Sequence, residues 1–208
     1  MTNSVNRRTQ ASQKRQRLTA AAARVLHEQG VERTTLADIA RAADVPVGNV
    51  YYYFKTKDEL VQAALAEHTA RLDELTGRLE RLADPRDRLK ALVEAWVGQR
   101  DVAARHGCPT GTLAAELDKR ADGTLDAEAG AVLRRLLDWV AGQFRELGLP
   151  GPQDLALTLV SGYQGMSLMA NALRDPDVMT REGARLLRWL DSLGAQGAPV
   201  AGSSRRSS

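Results

Sequence analysis

Residues 34–60 read TTLADIARAADVPVGNVYYYFKTKDEL. Apolar residues at helical spacing lead into Asp44-Val45-Pro46, and a second short apolar pattern follows. Pro46 disfavours helical geometry at the residue before it and suits the first turn of a new helix. The stretch therefore predicts one helix that ends before Asp44, a tight turn, and a short helix from Pro46 to about Phe54.

Capping residues support these boundaries. Thr34 or Thr35 is expected to cap the first helix of the pair, with Asp38 near its positive end. Thr56 is expected to cap the helix that follows Phe54, and Glu59 three residues later completes a capping-box pattern. The buried stripe of the first helix is predicted to consist of Leu36, Ile39, Ala40 and Ala43.

Helical patterns extend on both sides of this stretch. A helix is predicted from about Gln13 to Gln29, where Gly30 ends it in a left-handed conformation. The helix after Thr56 is long, with a seam at alternating steps of four and three residues. The seam consists of Val61, Leu65, His68, Leu72, Leu75, Leu79 and Leu82. Five more helices are expected at about 86–106, 111–119, 126–147, 153–174 and 180–193.

These elements give an all-α fold, in which a three-helix head precedes a six-helix body. The expected divisions are a flexible basic arm at 1–12, a head at 13–58, a body at 59–193 and a disordered tail at 194–208. The longest uncharged stretch, 155–173, approaches a membrane-spanning length but holds many polar groups. It is better explained as a helix buried between protein surfaces.

Charge is unevenly distributed along the 208 residues. Residues 1–57 hold ten basic and four acidic side chains, whereas residues 58–208 hold nineteen and twenty-two. A basic head on a mildly acidic body indicates that the head meets a polyanion, although a solvated basic tail explains part of the excess. A single cysteine, Cys108, excludes an internal disulfide and fits the reducing cytoplasm, where we expect the protein to act.

The two helices around Pro46 satisfy the requirement for a helix-turn-helix, whose second helix enters the DNA major groove. Val50 and Phe54 lie four residues apart and can anchor that helix to the core. The three tyrosines at 51–53 occupy consecutive positions, so they cannot all point inward on a helix. An outward tyrosine beside Asn49, Lys55 and Lys57 could hydrogen-bond a phosphate.

The stretches TTLADIA (34–40) and VPVGNVYYYFKTKDEL (45–60) resemble the DNA-binding domain of the TetR family, with similarity over about residues 13–60. The resemblance implies an all-helical dimeric repressor that binds a pseudo-palindromic operator. It implies phosphate contacts from Thr35, Tyr51 and Lys57, and base or groove contacts from Val47, Gly48, Asn49 and Tyr52. Gly48 offers no side chain for base recognition, so some dependence on DNA shape is expected.

The family resemblance also implies that the last two long helices, about 153–174 and 180–193, form a homodimer interface. It implies a cavity in the body for an unidentified small-molecule ligand. We expect the cavity to be lined by Trp96, Cys108, Phe144, Tyr163, Met166 and Met169, each of which could equally be ordinary core. The segment from Gly107 to Leu117 is similar to one in a subset of these regulators, so Cys108 could sense electrophiles or oxidants, or be an inert small hydrophobe.

No catalytic motif and no phosphate-binding glycine loop is recognised, and neither an enzyme activity nor a cofactor is expected. The histidines His27, His68 and His106 are scattered in sequence, and His106 with Cys108 lacks further metal-ligand partners. Two alternatives stay open: a small-molecule enzyme with an incidental basic head, and a sequence-independent architectural protein. Activation instead of repression is a variant of the main hypothesis.

Overall fold

The structure, a computed structural model, describes residues 2–119 and 125–194, with side chains from residue 10 onward. Every regular element in these ranges is an α-helix. The ten helices are α1 (Thr2–Gln29), α2 (Leu36–Ala43), α3 (Val47–Tyr53), α4 (Lys57–Leu79), α5 (Pro85–Val97), α6 (Arg100–His106), α7 (Pro109–Leu117), α8 (Leu125–Glu146), α9 (Pro152–Leu173) and α10 (Asp177–Ser192). The predicted all-α class is confirmed, and we call α1–α3 the head and α4–α10 the body.

Two predicted boundaries differ from the structure. Residues 2–12 continue α1, where a flexible arm was expected. They contain no Gly or Pro but also no apolar stripe, so no periodic pattern marks a helix there. The predicted helix 86–106 is two helices, α5 and α6, because a turn at Gly98-Gln99 interrupts it. The body of the described chain therefore has seven helices, and the predicted tail beyond Gly194 lies outside the described residues.

Local capping sets the geometry of the head. Thr35 is the N-cap of α2: its hydroxyl accepts from the Asp38 N–H, and its own N–H donates to the Asp38 carboxylate. Thr34 is instead buried and donates its hydroxyl to the Gly30 carbonyl at 2.6 Å. Asp44 closes α2 in the left-handed region at φ 51°, a conformation that Asp tolerates better than most residues. Thr34 and Thr35 therefore fix the start of α2, and Asp44 begins the turn that leads to α3.

Thr56 caps α4 as predicted, accepting from the Glu59 N–H at 3.1 Å. The reciprocal half of the capping box is different, because the Glu59 carboxylate accepts from the Lys55 N–H at 2.7 Å. The seam of α4 is buried at Val61, Leu65, His68 and Leu79. Leu82 lies beyond the end of α4 and is exposed.

Two apolar clusters hold the helices together. The first joins α1–α3 to the start of α4 and also contains Leu113 and Leu117 of α7 and Ala129 of α8. The second fills the body between α5, α8, α9 and α10. Because α7 and α8 contribute to the first cluster, the head is packed on the body and is not separated from it by a linker.

One face of α9 is not covered by the other described residues of the chain. Its inner side is buried against the body, whereas Leu157, Leu168, Met169 and Leu173 are exposed. The predicted burial of this helix on nearly all sides is therefore incomplete in a single protomer. On α10, the apolar side chains Leu186 and Leu190 are already buried within the same chain. No helix of the described ranges is long and apolar enough to cross a membrane.

Candidate DNA-binding surface and ligand cavity

The short helix α3 is held by its apolar side chains. Val50 and Phe54, predicted as anchors, are fully buried in the head cluster. The Arg15 guanidinium lies 5.6 Å from the centre of the Phe54 ring and covers it from α1. With one side fixed in this way, the opposite side of α3 is left free to face a ligand.

The exposed side of α3 carries most of the predicted DNA contacts. Val47 is 45 % exposed, Tyr51 53 % and Tyr52 73 %. A Cβ placed on Gly48 would meet no atom within 4 Å, so the backbone there is open to close approach. Tyr53 is half-buried and meets Tyr52 edge to face, with ring centres 5.0 Å apart. The prediction that the three tyrosines cannot all point inward is confirmed.

Asn49 and the two lysines flank this face. Asn49 is half-buried, and its backbone N–H donates to the Pro46 carbonyl. Its side-chain amide makes no hydrogen bond with the described residues. The Lys55 ammonium donates to the Tyr51 carbonyl at 2.9 Å, and that of Lys57 donates to the Glu32 carbonyl at 3.3 Å. Each ammonium has three N–H donors, so both can also contact phosphate.

Thr35 is exposed near the same surface, but its donors are engaged. Its hydroxyl donates to the Asp38 carboxylate at 2.6 Å, and its N–H donates to the same oxygen at 3.0 Å. The hydrogen bonds from Thr35 hold the pKa of the Asp38 carboxyl below its ordinary value. A phosphate contact from Thr35 therefore requires the hydroxyl to leave Asp38.

A cavity of about 790 Å³ lies under the head. Its wall includes residues of α1 and α2 from the head and of all seven helices of the body, α4–α10. The apolar part of the wall includes Leu72, Leu75, Val132, Leu136 and Met179. A molecule in this cavity touches both parts of the chain at once.

Three of the six predicted cavity residues line it. Trp96 and Tyr163 stack with ring centres 4.3 Å apart and planes inclined by 14°, which forms a flat aromatic wall. Burial raises the pKa of the Tyr163 phenol well above its ordinary value, and its hydrogen bond with Cys108 adds to the effect. Cys108 is the third predicted residue in the wall.

Phe144, Met166 and Met169 do not line this cavity. Phe144 lies beyond the part of α8 that borders the cavity and packs edge to face against Trp189 in the body core. Met166 is buried in the same core. Met169 follows Tyr163 by six residues, about 120° away around the helix axis, and is exposed on the uncovered face of α9.

Cys108 is buried and caps α7. Its sulfur accepts from the Gly111 N–H at 3.3 Å and from the Gln164 side-chain amide at 3.5 Å. Gln164 also lines the cavity and was not predicted to do so. The sulfur therefore ties the start of α7 to α9 at the cavity wall.

The histidines, scattered in sequence, meet in the structure. His27, His68 and His106 all line the cavity. The Nε2–H of His27 donates to the Gly107 carbonyl at 2.9 Å, and the His27 and His106 rings lie 5.7 Å apart. Burial lowers the pKa of His27, and it lowers that of His68 to about 4.

The sequence did contain a signal for His68. It occupies one position of the otherwise apolar seam of α4, where a polar ring needs a reason to be buried. His27 and His106 gave no such signal, because their meeting depends on how α1 packs against α6. No group of three or more His, Cys, Asp or Glu side chains in the described ranges is placed to hold a metal ion.

Comparison with known proteins agrees with this architecture. The sequence model described as "Bacterial regulatory proteins, tetR family" matches residues 18–64. The regulators ArpR and TtgR, both of Pseudomonas putida, are each 30 % identical over 196 residues, covering 88 % of this chain and 90 % of theirs. The crystal structure of a TetR regulatory protein from Rhodobacter sphaeroides is 27 % identical, with a TM-score of 0.72 over 83 % of this chain and 96 % of that one.

The chain belongs to the TetR family of bacterial regulatory proteins. It is a DNA-binding transcriptional regulator with a helix-turn-helix head and an all-α body. Its similar relatives are transcriptional regulators and not enzymes.

Proposed function

We propose that this regulator is a cytoplasmic homodimeric repressor that binds a pseudo-palindromic operator and is released from it by a small molecule. The observation that carries the proposal is the cavity of about 790 Å³, whose wall is built jointly by head and body. A ligand that fits one arrangement of the two parts better than another shifts the population toward it. Ligand and operator then compete through the placement of the head.

The DNA contacts are assigned to the exposed side of α3 and its flanks. Val47, Gly48, Asn49 and Tyr52 are proposed to face base edges or the groove floor. Thr35, Tyr51, Lys55 and Lys57 are proposed to contact phosphates. The open backbone at Gly48 and the exposure of Tyr52 support close approach to the groove.

The homodimer is proposed to form through α9 and α10. Leu157 and Leu168, which are 55 % and 67 % exposed, lie about 20° apart around the helix axis and form an apolar stripe on one side of α9. Burying that stripe against a second copy removes apolar surface from water. Binding to two half-sites one turn of DNA apart would require the α3 helices of the two copies to lie about 34 Å apart.

Two contacts between head and body support coupling of the cavity to α3. The Val31 N–H, just after α1, donates to the Glu116 carboxylate of α7 at 2.5 Å. The His27 ring of α1 donates to the Gly107 carbonyl between α6 and α7 at 2.9 Å. A ligand that displaces the segment from Gly107 to Glu116 therefore acts on the end of α1, and through α1 on the turn and α3.

The test is binding of the purified protein to the intergenic DNA upstream of its own gene, with random DNA as competitor at near-physiological salt. We expect a retarded complex that survives competitor excess, and a footprint with twofold symmetry. If the competitor removes the complex, duplexes selected from random sequence replace the intergenic fragment. No affinity for any selected duplex would overturn the proposal in favour of an enzyme, and sequence-independent binding would favour an architectural protein.

A further inference from the structure

His68 is a buried polar side chain without an assigned partner. It is 8 % exposed, lines the cavity, and makes no hydrogen bond with the described residues. The other two cavity histidines are held differently, since His27 donates to a carbonyl and packs against the His106 ring. A buried imidazole normally has a hydrogen-bond partner, so the ring of His68 is available to a molecule in the cavity.

The charged groups of the described wall favour an anion. They are three guanidinium groups, from Arg17, Arg24 and Arg71, and one carboxylate, from Glu28. Glu28 already lies 3.8 Å from Arg24. Arg17 is also paired, with the Asp44 carboxylate at 3.0 Å. A cationic molecule would find no unpaired carboxylate among these wall residues, whereas an anion would meet three guanidinium groups.

Arg71 is the guanidinium that shares a helix and a cavity face with His68. It donates through Nε to the Glu67 carboxylate at 3.0 Å, so its terminal amino groups remain available. Arg71 also contributes to the lowered pKa of His68, after burial, which places its charge close to the ring. The two side chains therefore act on the same part of the cavity.

The remaining wall is mostly apolar and includes the flat Trp96–Tyr163 stack, with polar side chains at Gln99, Thr110 and Gln164. We propose that the cavity binds an organic acid with a flat apolar body, whose anionic group is bound by His68 and Arg71 and whose body packs near Trp96 and Tyr163. The inference rests on the proposed function, since it names the chemical class of the releasing ligand. The volume of the cavity allows a body of several rings.

Proton uptake is a consequence of this assignment. An anion beside His68 raises the pKa of the imidazole in the complex, so the complex binds more protons than the free protein. Affinity for the acid therefore rises as pH falls. A substitution of His68 leaves the other titratable and charged groups of the cavity in place, so it isolates the contribution of His68. These groups are His27, Arg17, Arg24 and Glu28 on α1, His106 on α6, Cys108 before α7 and Tyr163 on α9.

The experiment compares matched acids, amides and amines by calorimetry on the full-length protein. The probes are 2-naphthoate, 2-naphthamide and 2-naphthylmethylamine, together with the corresponding biphenyl set. We expect the acid to bind at least tenfold more tightly than the amide at pH 6.5, and the amine to bind most weakly. From pH 8 to pH 6, affinity for the acid should rise threefold or more, and His68→Leu should remove most of that rise.

Arg71→Gln is the second variant, and Arg78→Gln is its matched control. Both arginines lie on α4 and pair with a glutamate four residues earlier, but only Arg71 belongs to the described cavity wall. We expect Arg71→Gln to weaken acid binding about tenfold and to leave amide binding unchanged, whereas Arg78→Gln changes neither.

An amide or amine that binds as tightly as its acid overturns the inference, and so does equal loss in the two arginine variants. Failure of every probe in both sets also overturns it. Operator binding, measured on the same preparation without probes, reports separately on the proposed DNA-binding function.

Discussion

The proposed DNA-binding surface and the proposed ligand cavity are built in different ways. The surface is provided by one short helix and its flanks, so nearly all of its residues lie between 47 and 57. The cavity wall is assembled from residues between 17 and 179, on nine helices. A contiguous surface can change its specificity one residue at a time, whereas a change in the cavity alters the packing of several helices.

The two sites also differ in what they need from a second copy. The described cavity wall belongs to one protomer, but a palindromic operator requires two copies of α3. The first prediction therefore tests a substitution that should prevent dimer formation, which should weaken DNA binding and leave ligand binding intact. Leu168→Asp places a charge on the exposed stripe of α9, where Leu168 is 67 % exposed.

We expect Leu168→Asp to convert the proposed dimer to a monomer and to weaken operator binding a hundredfold or more, because the second half-site no longer adds to affinity. Binding of 2-naphthoate should be retained. Sedimentation and operator titration measure the two effects. Leu82→Asp, at an exposed leucine outside α9, is the control, and an equal loss in that variant would refute the α9 interface.

The second prediction concerns His68, a substitution of which alters the cavity wall but not α3. Burial lowers the pKa of His68 from 6.5 to about 4, so the unfolded chain binds a proton that the folded chain does not. Stability is therefore highest above pH 6.5 and falls as pH drops toward 4. The loss attributable to His68 is about 3 kcal/mol, and His27 adds to it in the same direction.

His68→Leu should remove most of this pH dependence while leaving operator binding at pH 7.5 unchanged. Urea unfolding at several pH values between 4 and 8 measures the slope in each protein. The same slope in wild type and His68→Leu would show that the His68 ring is not protected from protonation in the folded state.

The local features of the head could be predicted from sequence because each depends on near neighbours. The Thr35 and Thr56 caps, the turn before Pro46 and the outward tyrosines of α3 follow from short-range sterics and hydrogen bonding. The helix over residues 2–12 could not be predicted, because these residues show no apolar stripe at helical spacing.

The cavity could be predicted only in part because its residues meet by tertiary packing. Trp96, Cys108 and Tyr163 are in the wall, but an aromatic or Met on a body helix can equally face the core, as Phe144 and Met166 do. The histidines required knowledge of how α1 lies on α6. Among the three histidines, only His68 gave a sequence signal for the cavity, because it is a polar residue in the apolar seam of α4.

The third prediction concerns Asn49, a substitution of which alters α3 but not the cavity wall. Asn49→Ala removes a half-buried amide that can bind a base edge, so specific binding should weaken by about 1–3 kcal/mol. Affinity for random DNA should change much less, and binding of 2-naphthoate should not change. Competition titrations with operator and random duplex measure the ratio. Equal losses on both DNAs would remove Asn49 from the residues that determine specificity.

The smallest expected effect is that of Lys57, whose ammonium is proposed to contact phosphate while donating to the Glu32 carbonyl. Lys57→Ala should weaken operator and random DNA alike and lower the slope of log affinity against log salt by about one unit, because one fewer counterion is released. Lys90→Ala, in the body and paired with Asp191, is the control and should leave the slope unchanged.

Since phosphate contacts carry no sequence information, a larger loss on operator than on random DNA would place Lys57 among the specificity residues. The functional surface would then extend beyond α3 into the start of α4, where the head joins the helix that carries His68 and Arg71.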